Sequence, residues 1–200
     1  MKKKTSRHLN EDEITFLKEY FDDTIDYSKV KVYNKQYMPI IHPEDGAIAP
    51  NGNIYMRGTT YRDDYMSDDT PLHTRSTFLH EMVHVWQKEN QVLNLLYEAC
   101  KENLKHKFNY NAAYHYELEE GKDLVNYGME QQASIIQDYF VMKNTEGYMS
   151  HRLKNENVTK DEAMNLYESV LQNFLENPAY AQKCKKSITG KRYMKMRRNG

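Results

Sequence analysis

Cysteine is almost missing from this chain. Cys100 and Cys184 are the two in 200 residues, and neither belongs to a Cys-x-x-Cys pair. A disulfide framework is thereby excluded, and the redox compartment is left open. Long apolar runs are missing too: no stretch approaches the roughly 20 apolar residues of a membrane span. The opening Met1-Lys2-Lys3-Lys4-Thr5-Ser6-Arg7-His8 is basic but is followed by no apolar core, so it is not a secretory signal. The expectation is a protein made in soluble form, whose export would need a signal-independent route. Internal repeats and low-complexity segments are also absent.

What is present suits one folded domain. Only 39% of residues are hydrophobic and mean hydropathy is −0.93, but 17 tyrosines supply apolar area that such scales undercount. A chain of this length buries a sizeable core without disulfides. The net charge of −1 is unevenly placed. Residues 183–200 carry eight Lys/Arg and no acid, which leaves 20 basic against 29 acidic residues on the remainder. We therefore expect a single domain over 1–182 and a basic C-terminal tail over 183–200. Such a tail can touch an anionic surface, but more often it is a solvated terminus, and nucleic acid is not the expected partner.

The residues that carry chemistry are His80-Glu81-Met82-Val83-His84. On a helix, positions four apart share a face one turn apart, so His80 and His84 can offer two imidazoles to one metal ion. Glu81 is rotated by about 100° from His80, which lets its carboxylate reach a metal-bound water without ligating the metal. Chance would place such a motif in roughly one chain in forty of this composition. Leu72, Leu79, Met82, Val83 and Trp86 recur at helical spacing beside the histidines, and Thr70-Pro71 supplies an expected cap and first-turn proline. The donor set points to a zinc hydrolase, with Glu81 as its general base.

Around this motif the elements fall into two halves. Asn10-Glu11-Asp12-Glu13 is a capped helix start, with Leu9 and Ile14 placed as a staple and Ile14, Leu17 and Phe21 as the stripe. From Val30 to Met56 the pattern is that of strands: 30–33, 37–41, Ala47-Ile48-Ala49 and Ile54-Tyr55-Met56, the last two joined by the turn signal Pro50-Asn51-Gly52-Asn53. The expected fold class is α+β, a small antiparallel sheet preceding a mainly helical metal-binding half. Helices are expected to about Asn90, over 92–104, near 126–143 with Met129, Ala133, Ile136 and Phe140 as a stripe, and from the capping box Thr159-Lys160-Asp161-Glu162 to Asn177-Pro178.

Two histidines hold zinc poorly, so a third protein ligand is expected. Glu130 is the leading candidate, next to the buried stripe of its helix, with small Ala133 one turn later allowing close helix approach. Its rivals are His115, His106, Glu117, Asp123 and Asp138. The compact pattern with a third histidine is excluded, because Gln87 stands at its glycine position and Asn90 at its last histidine. An oxyanion donor is also expected, with His115, Tyr116, Tyr127 and Tyr139 open as candidates.

His80-Glu-Met-Val-His84-Val-Trp-Gln87, with Tyr114-x-Tyr116-x-Leu118 and Glu130-Gln-Gln-Ala133-x-Ile-Ile136-x-Asp138-Tyr139-Phe140, resembles the zincin-type metallopeptidase domains attached to type VI secretion spike (VgrG) and Rhs-associated proteins. The resemblance covers roughly residues 46–140, and it is the combination of the helix motif with the two later segments that narrows it. It implies a zincin-like, gluzincin-like fold with His80, His84 and Glu130 on zinc and Glu81 catalytic. It further implies that Asp138 orients a ligand histidine, and that an extended peptide substrate adds to the Ala47 to Met56 hairpin by backbone hydrogen bonds. A toxin-like effector made in a bacterial cytoplasm is implied, with a secretion spike and a cognate inhibitor protein as partners. No spike or repeat module is visible in this chain, and residues 150–200 match no motif of the family. Two competitors remain: a peptidase of cell-wall peptides, and a non-catalytic module whose zinc is structural.

Overall fold

The computed structural model describes residues 6–37, 46–92 and 113–182. The expected helix over 92–104, the candidate His106, most of the strand expected over 37–41 and the basic tail lie outside the described residues. Within them the order is β1 (Ser6–His8), α1 (Glu11–Phe21), β2 (Lys31–Asn34), β3 (Ala47–Ile48), β4 (Ile54–Met56), α2 (Leu72–Glu89), α3 (Met129–Asn144) and α4 (Lys160–Glu176). The fold class is α+β, a small four-stranded sheet followed by a mostly helical remainder.

The sheet has the order β1-β2-β4-β3, and it is mixed rather than antiparallel throughout. β1 runs antiparallel to β2 and β3 antiparallel to β4, but β2 and β4 are parallel, with Tyr33 opposite Tyr55. Alternating apolar residues announce a strand without announcing its direction. Here the stretch between β2 and β4 exceeds the dozen or so residues that a parallel return requires. The register places the Tyr33 and Tyr55 rings in a stack with centroids 4.8 Å apart. The expected hairpin is present as β3 and β4, with Gly52 at φ +85° in its turn.

β1 was not legible as a strand, because it has no apolar alternation; a buried ion pair ties it down instead. Arg7 donates through both terminal nitrogens to Glu13, at 2.7 and 2.6 Å, and Glu13 is fully buried. The same carboxylate accepts the backbone N–H of Asn10 (3.1 Å), completing the α1 capping box, and that of Tyr65 (2.9 Å). One glutamate thus joins β1, the start of α1 and the segment leading into α2.

α2 is the central element. Twelve of its eighteen residues are buried, so it is enclosed on nearly all sides rather than amphipathic, as its apolar stripe alone suggested. It packs against α1, α3 and β3. Trp86 lies among Phe21 and Phe174 (centroids 6.4 and 5.0 Å), and its indole N–H reaches the Pro178 carbonyl at 3.2 Å. Thr70 does not cap α2. Its hydroxyl donates to the Asp64 carbonyl at 2.9 Å, and Pro71 occupies the cap position. The capping box at Thr159 and Glu162 starts α4 as expected, and Asn177 ends it.

Candidate metal centre

Burial is what turns the α2 motif into a site. His80, Glu81 and His84 are 6%, 5% and 8% exposed, and Glu130 near the start of α3 is 7% exposed. The Nε2 atoms of His80 and His84 each lie 3.3 Å from the same Glu130 carboxylate oxygen, Oε2. Nitrogen and oxygen donors of these three residues fall within 4.8 Å of one another, and among the described residues they form the one such group. α3 packs extensively on α2, and Ala133, one turn along α3 from Glu130, is fully buried, as a small residue expected at a close helix approach would be.

Hydrogen bonds at the far side of each ring decide which nitrogen faces the cluster. Gln87, three positions after His84, holds its side-chain oxygen 2.8 Å from His84 Nδ1. Its amide nitrogen donates to the Met129 carbonyl (3.0 Å) and to Gln132 Oε1 (2.9 Å), so the oxygen must face the imidazole. Gln137 Oε1 lies 3.0 Å from His80 Nδ1. An amide oxygen accepts, so both Nδ1 atoms carry hydrogen, and in the neutral rings both Nε2 lone pairs turn toward Glu130. Two lone pairs and a carboxylate converging in a buried space suit a cation, supplied by a proton on His84 or by a metal ion. Two imidazoles and one carboxylate, joined by no fourth His, Cys, Asp or Glu among the described residues, could hold a metal ion.

The electrostatics agree. Burial works against charge on His84, but the adjacent Glu130 outweighs it and pushes the imidazole up to about 9. His80 is lowered, with burial the main cause. For Glu130 burial alone would raise the carboxyl, yet His84 and His80 hold it well below the usual carboxylate range. Burial pushes Glu81 up to about 7, and its Oε2 has no hydrogen-bond partner. A buried carboxylate oxygen left unsatisfied beside a metal-capable cluster is aimed at something other than the protein.

The remaining expectations separate cleanly. His115 is half-buried and stacks edge-on toward His151 at 6.4 Å, Glu117 is exposed, and Asp123 accepts from Asn173 (2.8 Å) and Tyr180 (2.6 Å). None of these joins the cluster. Asp138 does not orient a histidine either. It accepts from Tyr116 and Ser150, both at 2.6 Å, and pairs with Arg152 at 3.2 Å. It stands one position beyond Gln137, about 100° around α3, and so turns away from α2. Of the oxyanion candidates, Tyr116 is committed to Asp138 and to the Tyr167 hydroxyl, and the Tyr127 hydroxyl accepts the Glu119 N–H at 3.0 Å. The aromatic ring beside the cluster is Tyr114, 5.8 Å from that of His80. Gln87, Gln137 and Tyr114 were passed over as functional groups, although Gln87 at three positions from His84, and Gln137 at seven from Glu130, share their faces.

No family model matches the chain. It is 38% identical over 159 residues to the type VI secretion system spike protein VgrG2b of Pseudomonas aeruginosa, a match that covers 78% of the chain but only 15% of that protein. Among solved structures it is similar to the effector domain of Pseudomonas aeruginosa VgrG2b, at a TM-score of 0.62 and 32% identity, covering 82% of this chain and 83% of that one.

Proposed function

The chain belongs to the family of the Pseudomonas aeruginosa VgrG2b effector domain, and from that premise we propose that it is a zinc metallopeptidase acting as a type VI secretion effector. The observation that carries the catalytic half of this reading is Glu81: nearly buried, next in sequence to His80, with one oxygen unpartnered. Zinc held by His80, His84 and Glu130 would supply a Lewis acid that polarises the scissile carbonyl and makes water a nucleophile near neutral pH.

Glu81 takes the proton of the attacking water and returns it to the leaving amine. Burial suits it to both steps, since a carboxyl pushed up to about 7 gains and loses a proton near neutrality. Gln87 and Gln137 hold the histidine rings in the orientation that presents Nε2. Tyr114, beside His80, takes the oxyanion role in place of Tyr116 and Tyr127. β3 packs against α2 and ends the sheet among the described residues, which makes it the strand to which an extended peptide adds. Export by the type VI route, with a spike as carrier and a cognate inhibitor in the producing cell, follows the VgrG2b relationship and requires no signal peptide.

The test is turnover of casein and of purified sacculi by zinc-loaded protein, before and after chelation. Casein cleavage that disappears with the metal and returns with zinc supports the reading, whereas sacculus turnover alone would assign cell-wall peptides as the substrate. Stoichiometric zinc with a fourth protein ligand and no turnover of either would make the metal structural and sink the enzyme.

A further inference from the structure

We propose that Arg152, in the stretch 150–200 where the sequence alone offered no family motif, is a positioning residue for the metal centre: its guanidinium fixes the Gln137 amide and, through it, the tautomer of His80. A glutamine amide is nearly isosteric with its flipped form, so something must select the orientation that accepts from His80 Nδ1. The partner of its nitrogen contributes weakly: the Ser76 hydroxyl gives its one hydrogen to the His73 carbonyl at 2.9 Å and accepts from Gln137 Nε2 at a longer 3.2 Å. Arg152 selects it more strongly, because Nη1 lies 2.6 Å from Gln137 Oε1 and a guanidinium is charged and has no acceptor. A flipped amide would set N–H against N–H at this contact and again at His80 Nδ1–H.

Arg152 is itself held in place. Its Nη2 pairs with Asp138 at 3.2 Å, its backbone N–H donates to Ser150 Oγ at 3.1 Å, and its carbonyl accepts from Tyr116 N at 3.1 Å. The Asp138 carboxylate is completely buried and offsets the guanidinium charge near the metal centre. Asp138 therefore reaches the site through Arg152 and Gln137 rather than by touching a histidine. His84 needs no such device, since the Met129 carbonyl sets Gln87. Without Arg152 only the longer Ser76 contact opposes a flip of the amide, and His80 can then carry its proton on Nε2, where a ligand lone pair is needed.

Two readouts test this. In metal-free protein, at a pH where the ring is neutral, long-range proton–nitrogen spectra should show His80 as the Nδ1–H tautomer in the wild type and a mixture or the Nε2–H form in Arg152→Met. Zinc affinity should fall about 10–100-fold in the same variant. Gln137→Leu should lose the tautomer too, and the double variant should bind zinc no more weakly than Gln137→Leu alone, because the arginine acts through the amide. Should Arg152→Met not fold, Arg152→Gln replaces it, leaving an amide that can donate to Asp138 but is not obliged to donate to Gln137, and the same loss of tautomer is expected. A wild-type His80 in the Nε2–H form, a folded Arg152 variant that keeps the Nδ1–H form, or zinc losses that multiply in the double variant would each overturn the assignment. Only the zinc readout rests on the metallopeptidase reading. A wild type that takes up no zinc defeats that reading and leaves the tautomer measurement to decide this one.

Discussion

Glu130 Oε2 lies 3.3 Å from His80 Nε2, although fifty positions of chain separate the two residues. No local propensity produces that contact. It exists because α3 packs against α2, so the chemistry of the site and the packing of the two helices are one problem.

The first prediction concerns the third ligand. Glu130→Ala removes a donor and the negative charge that keeps His84 protonated in the metal-free protein. Zinc affinity should fall by more than the about 10–100-fold typical of losing an outer-shell partner. Competition titration against a chromophoric chelator measures it, and wild-type affinity would move the third ligand elsewhere.

Glu81→Gln separates catalysis from binding. Hydrolysis should drop about 10²–10⁴-fold while zinc content stays at the wild-type level. Above about pH 7 the metal-free variant should also be more stable than the wild type, because a buried carboxylate with an unpartnered oxygen has been neutralised. Activity assays and denaturant titrations read the two effects independently, and full activity would end the general-base assignment.

Much of this was legible in the residues, and what was not has a physical reason. The His80, Glu81 and His84 set follows from helical spacing, and the boxes at Asn10 and Thr159 follow from hydrogen-bond chemistry within four residues. The parallel pairing of β2 with β4 depends on a long return that local pattern does not encode. Asp138 was expected at a histidine because the family resemblance implied it, but the helix turns it toward Tyr116 and Arg152. The groups that do touch the rings, Gln87 and Gln137, are neutral amides whose function is set by what lies across the helix interface.

The pH dependence of the metal-free protein has a definite sign. Glu81 is raised from 4.5 to about 7 by burial, so the folded state holds a proton that the unfolded chain releases, and stability falls as pH climbs through that window. For His84 burial opposes the charge, but Glu130 raises it from 6.5 to about 9, so its contribution is complete below 6.5 and is lost by about 9. Each contributes on the order of 3 kcal/mol. Denaturation midpoints of chelator-treated protein should therefore decline from mildly acidic to alkaline pH. Saturating zinc should remove the His84 part, since a ligating imidazole has already given up that proton, and should add about 2.7 kcal/mol at a hundredfold excess over Kd. A midpoint that climbs with pH in the metal-free protein would contradict both assignments.

The Arg7 and Glu13 pair supplies a control far from the chemistry. Glu13→Ala leaves the guanidinium without its partner and strips acceptors from Asn10 N and Tyr65 N. Destabilisation should be about 3–5 kcal/mol, read by denaturant titration, with zinc affinity of the folded fraction unchanged. A loss below 1 kcal/mol would mean that β1 is not anchored there.

Ala133 tests whether helix packing positions the metal donors. It is fully buried one turn from Glu130, on a helix whose main packing partner is α2, so a leucine there has no free volume and is expected to shift α3 on α2. Overpacking costs about 1–3 kcal/mol, and displacement of Glu130 should lower zinc affinity in the same variant. Ala163 is equally buried but lies on α4, which carries none of the three metal donors, so Ala163→Leu should cost comparable stability and leave zinc affinity alone. If both substitutions destabilise and neither changes zinc binding, Glu130 is held by local structure rather than by the approach of α3, and the packing account of the site fails.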